Sequence, residues 1–184
     1  MAKFRALHDH LTAAGVVDRI NRFTPEPALR EGLALVHDAA YVEDILRRRL
    51  SPAAERRLGL PQSEALVARS RAATGGTLLA ARLALQHGVA CNTAGGSHHA
   101  FAAAGTGFCV FNDVAVAAAV LLAEGAVGRV LIVDLDVHQG DGTAHIFRGD
   151  PRVFTFSMHA GTVSVSDGVD APPTASMCQG RCVE

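Results

Sequence analysis

Apolar positions along the chain follow two rhythms. Helical spacing runs through residues 3–14, where Gly15 stops it. It returns in a segment opened by Asp38 as a cap and carrying Tyr41, Ile45 and Leu46, whose Arg47-Arg48-Arg49 end complements the helix dipole. Ser51-Pro52 predicts a short helix with serine as cap and proline at the first turn. Ser63 to His87 is the longest helical stretch, ended by Gly88; Gly75-Gly76 inside it implies close packing against a neighbour or a kink. A further helix is expected from about Asn112 to Glu124, and a short one near 143–147. Between these lie strand patterns. Val89-Ala90-Cys91-Asn92-Thr93 reads as a short buried strand, and Val153-Phe154-Thr155-Phe156-Ser157 as another. Val130-Leu131-Ile132-Val133 is an apolar run suited to a central parallel strand covered on both faces.

Strands alternating with helices imply an α/β fold with a parallel sheet, in which ligand sites lie beyond the carboxyl ends of the strands. Two loops, 94–108 and 134–142, fall at that edge and can converge. Phe23-Thr24-Pro25-Glu26-Pro27 is an extended connection.

Composition narrows the class. The chain has 184 residues, 49% of them hydrophobic and 19% charged, which is one globular domain's worth of material. A net charge of -1 argues against a nucleic-acid or anionic-membrane partner. The longest apolar run, Val114 to Ala123, is too short to span a bilayer. The N-terminus lacks a signal-peptide core, and Cys91, Cys109, Cys178 and Cys182 follow no zinc-finger or disulfide-scaffold spacing. A reduced, cytoplasmic compartment is expected. His8 and His10 are expected at the surface.

Chemistry concentrates after the central strand. In Asp134-Leu135-Asp136-Val137-His138-Gln139-Gly140-Asp141-Gly142, the first three polar side chains alternate, and share a face for as long as the chain stays extended. Two carboxylates and an imidazole are costly to bury without a cation or hydrogen-bond partners, and Asp136 with His138 is an oxygen–nitrogen pair suited to zinc. In the other loop, Gly95-Gly96 precede adjacent histidines, His98 and His99. With Asp136 and His138 on a metal, Asp134 and Asp141 are free to orient the two imidazoles. A metal-activated water beside two positioned histidines is equipment for hydrolysing an amide-like bond.

Three stretches then carry a resemblance: Gly95-Gly96-Ser97-His98-His99-Ala100, Gly107-Phe108-Cys109-Val110-Phe111-Asn112-Asp113, and Asp134 through Gly142. In this order and at this spacing they resemble the zinc-dependent histone deacetylase family, over about residues 28–159. Gln139, after His138, resembles the class-IV and bacterial branch. The resemblance implies a three-layer α/β/α sandwich of the arginase–deacetylase type. It implies Asp136 and His138 as zinc ligands, His99 with Asp141 as general base and acid, and His98 with Asp134 as electrostatic partner. Gly107 and Phe108 would line the tunnel for an acyl-lysine side chain. A structural potassium ion would be held around Asp134, Asp136, His138, Ser157 and Met158. The substrate would be an acetylated lysine or a small acetylated amine, with acetylpolyamine hydrolysis or a non-catalytic fragment as alternatives.

The resemblance stops after His159. The family's third zinc ligand, an aspartate, and its oxyanion tyrosine have no counterpart in matching context: Tyr41 precedes the first motif, and Asp167 and Asp170 sit in different surroundings. Residues 1–160 are therefore expected to be the N-terminal part of a catalytic domain. Residues 161–184 are expected to be a disordered tail outside the family, from a truncated or frameshifted coding sequence, leaving this polypeptide poorly active.

Overall fold

A computed structural model describes residues 2–160. Helices α1 (Ala2–Ala13), α2 (Arg30–Leu33), α3 (Ala39–Leu46), α4 (Pro52–Leu58), α5 (Glu64–His87) and α6 (Asp113–Ala123) precede strand β1 (Val130–Asp134). Helix α7 (Asp141–Ile146) and strand β2 (Val153–Ser157) complete the order. The fold is α/β with a parallel sheet: β1 pairs with β2 from Val130↔Val153 to Asp134↔Ser157.

Helix α6 is apolar nearly all round, as a helix buried on every side must be. One side packs Val116 and Val120 with Leu33, Val42, Ile45, Leu58 and Phe111. The other packs Ala115 and Ala118 with Ile132, Phe147 and Val153. One helix thus joins the helical core to the sheet and sets its own N-terminus beside the strand ends.

The side chains of Ser51, Ser63 and Asn112 accept hydrogen bonds from the amides of Ala54, Leu66 and Ala115, capping α4, α5 and α6. The Gly75 alternative resolves as close packing, because a Cβ there would overlap the carbonyl oxygen of Glu26.

Three expectations need correction. Asp38 stands at the N-cap position of α3, but its side chain makes no cap bond; its own amide is instead tied to Ala102 O at 2.9 Å. Residues 89–93 form no strand, and Val89 and Cys91 are exposed. Among the described residues no neighbouring strand pairs with them, and Asn92 spends its amide on Ala73 O and Thr77 Oγ1. Strand β1 is covered on one face only. Ile132 is buried, whereas Leu131 is 64% and Val133 53% exposed, because the described helices pack on a single side. His8 is partly buried and His10 exposed, and Arg47 pairs with Glu43. The expected tail, residues 161–184, lies outside the described residues.

Candidate active site

The site begins where β1 ends. Asp134 is the last strand residue and shares the covered face with Ile132. Beyond it the chain leaves the sheet, so strand alternation does not align the next two polar residues. Side chains do so locally instead: Asp134 Oδ1 accepts from the Asp136 amide at 3.0 Å, and Asp136 Oδ1 from the His138 amide at 2.8 Å. These are successive Asx-type turns, which short acidic side chains favour.

The second loop delivers the histidines. His98 and His99 are each only 8% exposed, and their ring centroids lie 4.2 Å apart. His98 Nδ1 lies 2.6 Å from Asp134 Oδ2, and His99 Nδ1 lies 2.8 Å from Asp141 Oδ1. A carboxylate can only accept, so each Nδ1 carries a proton and each Nε2 is left for other chemistry. Burial disfavours the charged form of His98, but the hydrogen bond to Asp134 and the charges of Asp134, Asp136 and Asp141 outweigh it and raise its pKa. Burial likewise pushes Asp134 up, yet the bonds from His98 and from the Asp136 amide hold its carboxyl below the usual range. The Asp136 carboxyl is lowered chiefly by the His138 amide.

Asp136 and His138 lie beside this pair and are about half exposed. Asp136 Oδ1 is 3.8 Å from His98 Nε2, and the His138 ring is 5.8 Å from that of His99. His138 Nδ1 lies 2.8 Å from Asp136 Oδ1. Their donor types suit zinc, but a catalytic zinc site takes three protein ligands. Among the described residues no three such side chains converge. The pair fits zinc in kind and falls short in number.

Gly107 borders His99, and Phe108 follows it with its ring beside Gly59. Gly107 has φ 54°, and a Cβ there would come within 2.7 Å of His99 Cδ2, so the backbone itself lies against the ring. Phe108 also adopts positive φ, 64°, an uncommon conformation for an aromatic residue, and the residue is 66% exposed. Its amide is bonded to Leu58 O at 3.0 Å. Cys109, next in line, is buried, and burial pushes its thiol up to about 11. Ser157 Oγ accepts from the Gly140 amide at 3.1 Å, and the Met158 amide donates to Asp134 O at 3.0 Å, so the end of β2 closes against the 134–140 loop.

Two residues quoted within the second motif had received no role: Asn112 and Asp113. Both are buried at the start of α6 and bonded to the histidine loop. The available signal was Asn-Asp opening an apolar helix directly after a glycine-bearing loop. His37, also unassigned, is buried; its Nδ1 donates to Phe101 O at 2.9 Å, and its Nε2 accepts from the Asn112 amide at 3.0 Å.

Several known proteins are similar to this chain. The profile of the histone deacetylase domain matches residues 1–165. An uncharacterized protein of Picosynechococcus sp. is 54% identical over 159 residues, covering 86% of this chain and 53% of that protein. The human polyamine deacetylase HDAC10 is 36% identical over 167 residues, covering 85% of this chain and 25% of that protein. The crystal structure of an HDAC homologue from Aquifex aeolicus superposes with a TM-score of 0.72 at 32% identity, covering 82% of this chain and 43% of the other. The chain thus spans from a quarter to about half of the length of these relatives.

Proposed function

The chain belongs to the histone deacetylase family, and we propose that it supplies the acid–base half of a hydrolase that removes acetyl groups from lysine side chains or related amines. The observation that carries this reading is the double pairing, His98 with Asp134 and His99 with Asp141, with the two rings 4.2 Å apart. Nδ1 of His99 is committed to Asp141, so Nε2 is the atom that takes a proton from water and returns it to the leaving amine. Through its bond to Asp134, His98 holds positive charge beside it and favours a developing anion. Gly107 and Phe108 form the wall along which an acyl chain lies. Asp136 and His138 would hold zinc together with a third donor from outside the described residues; bound there, the ion would supply Lewis-acid polarisation. Hard oxygen donors, the Ser157 hydroxyl and backbone carbonyls of the 134–138 loop with Met158 beside them, are of the type that potassium takes.

Residues 1–160 are read as the N-terminal part of this catalytic domain. The free thiols of Cys91 and Cys109 suit a reducing cytoplasm. Among the described residues no helix is long and apolar enough to cross a membrane. Likeness to a protein named as a polyamine deacetylase keeps small acetylated amines beside acetyl-lysine as substrates.

Residues 1–160 by themselves are expected to turn over poorly, because among the described residues no third ligand joins Asp136 and His138. The test is a chimera joining residues 1–160 to the remainder of the Picosynechococcus relative, assayed with an acetyl-lysine peptide and an acetylated polyamine. Zinc-dependent acetate release that His99→Ala abolishes supports the reading. A folded chimera that releases no acetate from either substrate sinks it. A folded chimera whose melting temperature does not move with zinc favours the non-catalytic alternative.

A further inference from the structure

The histidine loop has few means of its own to hold its shape, since it is glycine-bearing and forms no regular structure. Its backbone is held from two sides by the residues that open α6. On one side, the Asp113 carboxylate accepts from the Gly96 amide at 3.1 Å and from the Ser97 amide at 2.7 Å, and is anchored in turn by the Thr77 hydroxyl of α5. On the other, Asn112 Nδ2 donates toward the carbonyls of His98 at 3.3 Å and Ala100 at 3.2 Å, and toward Thr143 Oγ1 at 3.0 Å. Thr143 lies in the first turn of α7, the helix opened by Asp141, and its amide donates to His98 O at 3.1 Å. Asn112 Oδ1 meanwhile caps α6 through the Ala115 amide at 3.1 Å.

We propose that Asn112 and Asp113 are positioning residues for the histidine pair, gripping the 96–100 backbone so that both imidazoles meet their carboxylates. The proposal rests on the reading above for its catalytic meaning, although neither residue is placed against substrate. The physical case is one of stakes. Both side chains are essentially inaccessible to water, so a lost partner leaves a buried donor or carboxylate unsatisfied instead of being replaced by solvent. The loop, α6 and α7 would then relax together, because Asn112 touches all three.

Asn112→Ser separates the two jobs of this residue. A serine still caps α6 but has no amide to reach His98 O and Ala100 O. The readout is hydrogen exchange of the imidazole Nδ1–H protons of His98 and His99, followed by NMR in the 184-residue chain without added metal. The expected result is at least tenfold faster exchange, or loss of at least one of the two signals, with cooperative thermal unfolding retained. Asp113→Asn, which keeps the size and one acceptor oxygen, is read in the same way and serves should Asn112→Ser not fold. Arg71→Lys removes a distant contact, Arg71 Nε to Ala28 O at 2.9 Å, and should leave both protons unchanged. Unchanged exchange in folded Asn112→Ser and Asp113→Asn overturns the proposal, as does equal acceleration by Arg71→Lys. Since no turnover is measured, an inactive chimera would remove the catalytic reading and leave this result standing on its own.

Discussion

The two loops that meet at the site are held in opposite ways. The histidine loop buries His98, His99 and Ala100 and is bonded to α6 and α7 through side chains distant in sequence. The 135–139 loop is mostly exposed and holds itself, with Asp134 and Asp136 bonding amides two residues onward. The groups proposed for acid–base work are therefore preorganised by the described part of the fold. The pair proposed to hold a metal has local order but no third partner among those residues. An element can be geometrically ready before the site around it is complete.

The largest effect expected from testing this contrast is on catalysis. In the chimera, His99→Ala should lower kcat by about 10²–10⁴-fold, the usual worth of a general acid–base group. A change in KM with kcat intact would remove His99 from that role.

Next is Gly107→Ala, which places a Cβ against the His99 ring at a positive φ. It should destabilise the chain by about 1–3 kcal/mol in denaturant unfolding, the range for strained backbone positions. A loss below about 0.5 kcal/mol would show that this wall yields.

The pH dependence tests the buried network behind the histidine loop. Burial lowers the pKa of His37 against the opposing influence of the Phe101 and Ala102 backbone and the Asp38 charge, and the rings of Tyr41 and Phe111 pack around it. The unfolded chain therefore binds more protons than the folded one below about 6.5, the ordinary histidine value. The His37 contribution is fully present above that pH and is lost as pH falls toward the lowered folded value. Its slope cannot exceed about 1.4 kcal/mol per pH unit for one proton. His98 has the opposite sign: its raised pKa contributes stability below about 6.5 that is lost as pH rises through the folded value. Comparing unfolding of the parent and His37→Gln from pH 7 to 5 isolates the first effect; the parent should lose more stability on acidification. An identical acid response would refute it.

The smallest effect is expected in the exposed loop. Asp136→Ala should change stability by less than about 0.5 kcal/mol, as surface substitutions do. A calorimetric loss several times larger would mean that the 135–139 loop is tied to the core as firmly as the histidine loop is.

Much of this was legible along the chain. The cap at Ser51, the helix starts near Ser63 and Asn112, and the strands at 130–134 and 153–157 are local signals read from a few neighbouring residues. Where reading failed, the deciding partner was remote. Val89–Thr93 has strand character, but a strand needs a neighbour to bond, and Asn92 instead turned to α5. Asp38 looked like a cap, yet the segment's own amide went to Ala102.

By itself, the sequence determined most of the helices, the strands at 130–134 and 153–157, the family, and the residue types the chemistry needs, because these depend on side-chain identity and short-range spacing. Only the tertiary structure decided that Asp134 faces His98, that Gly107 lies against His99, and that Asn112 bonds three segments at once. Those facts depend on distances between residues 8–36 positions apart, set by how α6 packs between the helical core and the sheet.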